Sequence, residues 1–228
     1  VRTPAEYEQG HIPGAINLPL FTNEERKIIG TIYKQQGKQP AILEALSIVG
    51  PKMQDYVKQG IKLSTTNTFL VHCWRGGMRS SSMAWFLETY GFKCVLLKGG
   101  YKQYRRLVLD SFNSKKNVMV LGGKTGSGKT LILHELEKQG EQIIDLEKLA
   151  HHKGSSFGAL GEPAQNTQEQ FENELYYKLS NIDAEKRCWV ENESRKIGRN
   201  IIPNGLYNLM LDAYVATVNL PKDERIRY

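Results

Sequence analysis

The string "VMVLGGKTGSGKTLILHELEKQG", residues 118–140, constrains the fold more than any other part of the chain. An apolar β-branched run, a glycine-rich turn and an amphipathic segment ending at Gly140 read as strand, loop and helix. Within it, Gly123-Lys124-Thr125-Gly126-Ser127-Gly128-Lys129-Thr130 completes a G-x4-G-K-[ST] pattern in the context its mechanism demands. Glycines let successive amides converge on a phosphate, and the helix N-terminus adds its dipole. Lys129 neutralises terminal phosphate oxygens, and Thr130 is a candidate Mg²⁺ ligand. The pattern fixes a phosphate site and leaves open the reaction and whether the phosphate is a nucleotide's.

The same alternation recurs along the chain. "NTFLVHC" and "KCVLLKGG" read as strands, each followed by a helix, "SSSMAWFLETYG" and "YKQYRRLVLDSF". The serines of the first helix can cap its N-terminus, and Gly91 sits at its C-terminal stop. Further on, "EQIIDL" and "RCWVENE" read as strands and "QEQFENELYYKLSNI" as a helix. This predicts two three-layer α/β domains with parallel sheets in series. The first spans 1–112 with a helical insertion at about 22–66, "NSKKN" at 113–117 is a linker, and the P-loop domain occupies 118–228. "VRTPAEYEQGHIPGA" starts as though inside a strand and "NLPKDERIRY" stops in an amphipathic stretch, so sequence is expected to be missing at both ends.

Apolar residues make up 40% and charged residues 24% of the 228, a composition that supports buried cores rather than disorder. No apolar run approaches the roughly eighteen residues of a membrane helix. Three scattered cysteines, Cys73, Cys94 and Cys188, are no disulfide framework and read as reduced and cytoplasmic. A net charge of +7 favours a polyanionic partner, nucleic acid first.

"FLVHCWRGGMRSSSMAWFL" carries the second chemical signal. Cys73 ends a strand and opens a tight loop into a helix N-terminus, with Arg75, Arg79 and two glycines close by. Amides, helix dipole and guanidinium groups all favour a thiolate, so Cys73, Arg75 and Arg79 are candidate catalytic residues. The His-Cys-x5-Arg-Ser spacing alone fits a cysteine phosphatase and a sulfur transferase equally.

Other candidates are less specific. Asp145, Glu191 and Glu193, at strand ends, are candidate metal ligands or bases; as a bland alternative, each is a solvated carboxylate or a partner for Arg195 and Lys196. Lys153, Ser155, Ser156, Arg195 and Lys196 are candidate ligand contacts. Lys102, Arg105 and Arg106 on one short helix, with Tyr33 and Lys34 upstream, are candidate RNA contacts through phosphate binding and base stacking.

"VRTPAEYEQGHIPGAINLP" and "YGFKCVLLKGGYKQY", flanking the cysteine loop, resemble the two ends of the rhodanese-like domain; tyrosine phosphatases carry neither. With "GTIYKQQGK", "LGGKTGSGKT", "DLEKLAHHKGSSFGALG" and "VENESRKIG", essentially the whole chain resembles the bacterial tRNA 2-selenouridine synthase family, with Lys153 where an arginine is expected. The resemblance implies a cytoplasmic transferase that replaces sulfur by selenium in 2-thiouridine at the wobble position of the tRNA anticodon. It implies S-geranylation by geranyl diphosphate, then selenation by selenophosphate, with Cys73 carrying or positioning selenium. Implied partners are tRNA and a selenophosphate-producing enzyme, and the ligand of the P-loop is geranyl diphosphate or a nucleotide, with Mg²⁺. The rivals are a sulfurtransferase or Cys-x5-Arg phosphatase fused to a nucleotide-binding domain, and a non-enzymatic NTP-sensing RNA-binding module.

Overall fold

Local signals fix the first helices. In the computed structural model, which describes residues 1–155 and 157–226, α1 (Pro4–Gln9) opens on a capping box between Thr3 and Glu6, with Pro4 in its first turn. Residues 1–3, expected in a strand, join no ladder; Thr3 is committed to the cap instead. A second capping box, Thr22 with Glu25, starts α2 (Asn23–Gln36). α3 (Lys38–Val49), a short 3-10 turn at Gly50–Lys52 and α4 (Met53–Leu63) complete a helical stretch before the first strand.

β1 (Thr68–Val71) and β2 (Lys93–Leu96) then pair in parallel, with Val71 opposite Leu96. α5 (Met78–Tyr90) is their crossover, stopped by Gly91 in the left-handed conformation at φ 112°. α6 (Gly100–Ser111) follows. Leu18, Leu20, Phe21, Val49, Tyr56, Val71, Met83, Leu87 and Phe92 form the core between sheet and helices. The buried Tyr56 hydroxyl is satisfied by donating to the Leu20 carbonyl at 2.8 Å.

The chain divides into two units, Val1–Arg106 and Leu107–Tyr228. The second contains β3 (Val118–Gly123), α7 (Lys129–Lys138), β4 (Gln142–Ile144), α8 (Leu146–Ala150), α9 (Gln168–Ser180) and β5 (Cys188–Glu191). A small antiparallel hairpin, β6 (Lys196–Ile197) with β7 (Asn200–Ile201), precedes α10 (Asn204–Asp212), β8 (Tyr214–Val218) and α11 (Lys222–Ile226). The four main strands are parallel in the order β4-β5-β3-β8. From β3 the chain crosses towards β4, whereas from β5 it crosses the opposite way to β8. Right-handed crossovers therefore put α7 and α10 on opposite faces of the sheet. Val120, Ile144 and Val190 in the strands and Leu133, Phe171, Leu175 and Leu206 in the helices are buried between these layers.

Both units are α/β with parallel sheets. The reversal of direction leaves a crevice beyond the carboxyl ends of β3 and β5, the place where open α/β sheets bind ligands. Within the second unit, α10 approaches the stretch before β3 so closely that a Cβ on Gly205 would overlap the Phe112 carbonyl. Backbone cannot yield as a side chain can, so Gly205→Ala is expected to destabilise the second unit by about 1–3 kcal/mol, read from the midpoint of urea unfolding.

Candidate functional site

The cysteine loop leaves β1 and is built from two separated stretches of sequence. Gly76, at φ 69°, turns the loop, and α5 begins at Met78 with Gly77 as its N-terminal cap. The first turn of α6 clasps it from the other side. Tyr101 N–H donates to the Cys73 carbonyl at 2.9 Å and Lys102 N–H to that of Trp74 at 2.8 Å. A Cβ on Gly100 would overlap the backbone of Cys73 and Gly76. The downstream "KGG" is thus part of the loop's own support. Lys102, Arg105 and Arg106 all lie on α6, the helix whose first turn makes these contacts.

Cys73 is 3% exposed. Burial alone pushes its thiol up, but hydrogen bonds from Ser80 and the amides of Gly77 and Arg75 outweigh it and hold the thiol below its usual value. The Ser80 hydroxyl lies 3.3 Å from Sγ and 2.9 Å from the Gly77 carbonyl, so it can turn from that carbonyl to a thiolate. The serines expected to cap α5 therefore lie inside it. The helix starts earlier because the glycine turn already delivers its first amides to the sulfur.

Arg79, expected to favour the thiolate, is instead bound by the Glu6 carboxylate at 2.6 and 3.4 Å. Burial pushes the Glu6 carboxyl up, yet the guanidinium outweighs this and holds it below the usual carboxylate range. Arg75 is exposed. Arg2, not singled out from the sequence, is almost fully buried over the Tyr101 ring at 3.9 Å and the Trp74 ring at 5.4 Å, and donates to the Gly10 carbonyl. It ties the "GHIPGA" stretch to the cysteine loop; the signal was its place in that stretch. Tyr33 and Lys34 are exposed on α2.

In the second unit the phosphate loop runs from the end of β3 into α7, with Gly126 and Gly128 left-handed at φ 75° and 76°. Lys129 arcs back to donate to the Gly123 carbonyl at 3.2 Å; Ser127 is buried, Lys124 is exposed, and the Thr125 carbonyl accepts from Arg225 at 3.2 Å. The loop lines a cleft of about 690 Å³, together with Asp145, Glu147, Lys153, Ser155 and Glu193. Ser156 lies outside the described residues.

The acidic side of the cleft is rearranged relative to expectation. Asp145 caps α8 by accepting from Lys148 N–H at 2.8 Å and pairs with His134 at 3.0 Å. Glu147, in the first turn of α8, takes the inward position, and Thr130 donates to it at 3.4 Å. Nothing in the sequence marked Glu147, because an acid in a helix first turn reads as a partner for the helix dipole. One ligand oxygen from each of Glu147, Glu191 and Glu193 lies within 4.8 Å of the others.

Glu191 is 0% exposed, and among the described residues neither carboxylate oxygen has a hydrogen-bond partner. Burial pushes its carboxyl up to about 8, with the nearby Thr130 hydroxyl offsetting only part. Burial and then the Glu193 and Asp145 charges push Glu147 up to about 7; burial also raises Glu193, against the pull of Lys129. Among the described residues neither Arg195 nor Lys196 pairs with these glutamates. Arg195 donates to Asn204, and Lys196 is exposed on β6. Lys153 pairs with Glu162 at 3.0 Å. The hard oxygen donors and the orphaned Glu191 carboxylate suit Mg²⁺.

The two buried thiols predict a contrast in reactivity. Burial pushes Cys188 up to about 12, so at neutral pH iodoacetamide should label Cys73 and leave Cys188 unmodified in the folded protein. Ser80→Ala removes a hydrogen bond to the thiolate, so it should raise the Cys73 pKa and slow its labelling severalfold at pH 7, measured by peptide mass spectrometry.

Comparison with known proteins agrees with both halves. Residues 1–107 match the rhodanese-like domain family, and residues 116–228 match the tRNA 2-selenouridine synthase AAA domain. The tRNA 2-selenouridine synthase of Nitrosomonas europaea is 35% identical over 99% of this chain, that of Nitrosomonas eutropha 36% over 99%, and that of Salmonella typhi 39% over 100%. The chain spans 60% of the length of the first two and 64% of the third. Along its whole length the chain is similar to tRNA 2-selenouridine synthases, its first part to the rhodanese-like domain family and its second to the AAA domain of those synthases.

Proposed function

We propose that this chain is the rhodanese-like and P-loop portion of a cytoplasmic tRNA-modifying transferase. It replaces the sulfur of 2-thiouridine at the wobble position by selenium, through an S-geranylated intermediate. Residues 1–112 and 118–228 are its two working domains, joined through 113–117. The observation that carries the reading is the Cys73 loop. Its thiol is held as a nucleophile by amides and Ser80, while the arginine that a phosphatase would aim at a phosphate is occupied by Glu6. That arrangement suits a chalcogen better than a phosphoryl group.

The chemistry follows from leaving groups. A thiocarbonyl sulfur leaves poorly. Its lone pair attacks C1 of geranyl diphosphate, the C–O bond breaks and diphosphate departs, so the sulfur becomes part of a thioether. Selenium from selenophosphate then adds at C2 of the base, geranylthiol leaves, and water takes the phosphoryl group. Selenium in selenophosphate is already fully reduced, so a Cys73 perselenide would require an oxidant; the balanced role of Cys73 is to position the selenium donor.

The phosphate loop, Gly123–Thr130, and Lys129 receive the diphosphate. Thr130, Glu191 and Glu193 would hold a Mg²⁺ ion, which supplies charge neutralisation at the leaving diphosphate. Lys153 and Ser155 border the same cleft. Lys102, Arg105 and Arg106 face the tRNA backbone, and Tyr33 and Lys34 extend the basic surface. Selenophosphate is delivered by its producing enzyme.

Two variants separate the steps in an assay with 2-thiouridine tRNA, followed by nucleoside mass spectrometry. Cys73→Ala should abolish selenouridine while geranylthiouridine still forms; persistent selenation would remove Cys73 from the second step. Lys129→Ala should weaken geranyl diphosphate binding at least tenfold by calorimetry, about 1.4 kcal/mol. Unchanged affinity would place that ligand elsewhere than the P-loop.

A further inference from the structure

We infer that Glu147, Glu191 and Glu193, with the Thr130 hydroxyl, bind a divalent cation directly on the protein before any phosphate ligand arrives. A P-loop with a single nearby acid receives its ion together with the phosphates, since one carboxylate and one hydroxyl hold Mg²⁺ weakly. Here three carboxylates converge, with ligand oxygens all within 4.8 Å of one another. Ligand oxygens around an octahedral ion at about 2.1 Å lie about 3 Å apart when adjacent and about 4.2 Å when opposite, so the three carboxylates close on one ion with a small inward shift of their side chains.

The site is also built from below and closed from above. Among the described residues the Glu191 carboxylate, at the end of β5 and fully buried, has no hydrogen-bond partner on either oxygen. Thr130 already reaches Glu147 at 3.4 Å. Gly154, left-handed at φ 63°, packs its backbone over the cluster, where a Cβ would overlap the Glu193 carboxylate and crowd that of Glu147. Among the described residues, Lys129 is the basic group whose charge acts on Glu147 and Glu193, and its Nζ is turned to the Gly123 carbonyl. One ammonium cannot balance three carboxylates in a half-buried site, where unpaired charge is costly. A divalent ion can.

Hard oxygen donors select Mg²⁺ or Mn²⁺ over softer metals. Four protein oxygens leave about two of six positions for phosphate oxygens or water. Glu147 is therefore the residue that converts a phosphate-dependent ion site into a resident one, and the incoming diphosphate is captured by an ion already in place. The inference rests on the geometry of the phosphate cleft, not on the selenium chemistry.

The test uses the whole chain and Mn²⁺ alone, followed by electron paramagnetic resonance of the free ion, with no phosphate compound present. One Mn²⁺ should bind per chain, and Mg²⁺ should displace it. Glu147→Gln and Glu191→Gln should each weaken binding tenfold or more, whereas Glu135→Gln, on the exposed surface of α7, should leave it unchanged. Mn²⁺ binding by the wild-type chain only when inorganic pyrophosphate is added would overturn the inference, as would a folded Glu147→Gln chain that binds like wild type. If Glu147→Gln does not melt cooperatively, the wild-type comparison with and without pyrophosphate decides. Because no prenyl, selenium or tRNA substrate enters, either result leaves the reading of the reaction to its own assay.

Discussion

Both candidate sites depend on a strand that ends in a glycine turn whose amides converge before a helix begins. In one unit Gly76 turns the chain so that amides face the Cys73 sulfur; in the other Gly126 and Gly128 shape the candidate phosphate loop by the same device. The physics is common to the two: fixed N–H dipoles and a helix terminus favour an anion at the turn. What differs is the anion. A thiolate is supplied by the chain, whereas a phosphate must arrive with the ligand, so only the second loop carries a lysine on its axis.

Cations and acids near the loops are sorted by tertiary contacts in ways that spacing does not reveal. Arg79 sits where a Cys-x5-Arg pattern places a phosphate-binding arginine, yet α1, far away in sequence, presents Glu6 and takes it. Under the proposed function, that ion pair is what favours one of the two chemistries the motif allows. On the phosphate side, Asp145 lines the cleft with its carboxylate engaged in a helix cap and a His134 contact, while Glu147 joins Glu191 and Glu193. Buried carboxylates grouped this closely raise one another's energy, which is why the cluster calls for a counter-ion.

Much of the fold was legible because local rules and global packing agree. Capping boxes at Thr3 and Thr22, the Gly91 stop and the apolar strands all match what their residues favour in isolation. The expectations that failed were local readings overridden by neighbours. Val1–Thr3 looked like strand, but Thr3 is used as a cap. Ser80 looked like a cap, but the glycine turn ahead of it starts the helix and frees its hydroxyl for the thiol. The α6 glycines read as a family signature before they read as mechanics; only the contact of Gly100 with Cys73 and Gly76 shows why no side chain fits there.

The amino-acid order by itself determined that two α/β units follow one another, each with a glycine loop between strand and helix, because periodicity and glycine placement are local properties. It also named Cys73 and Lys129, whose chemistry is inseparable from their loops. The strand order β4-β5-β3-β8, the capture of Arg79 by Glu6 and the convergence of Glu147, Glu191 and Glu193 were decided only by the tertiary structure. Each of these joins residues distant in sequence, and burial, not spacing, sets the charge that each side chain can hold.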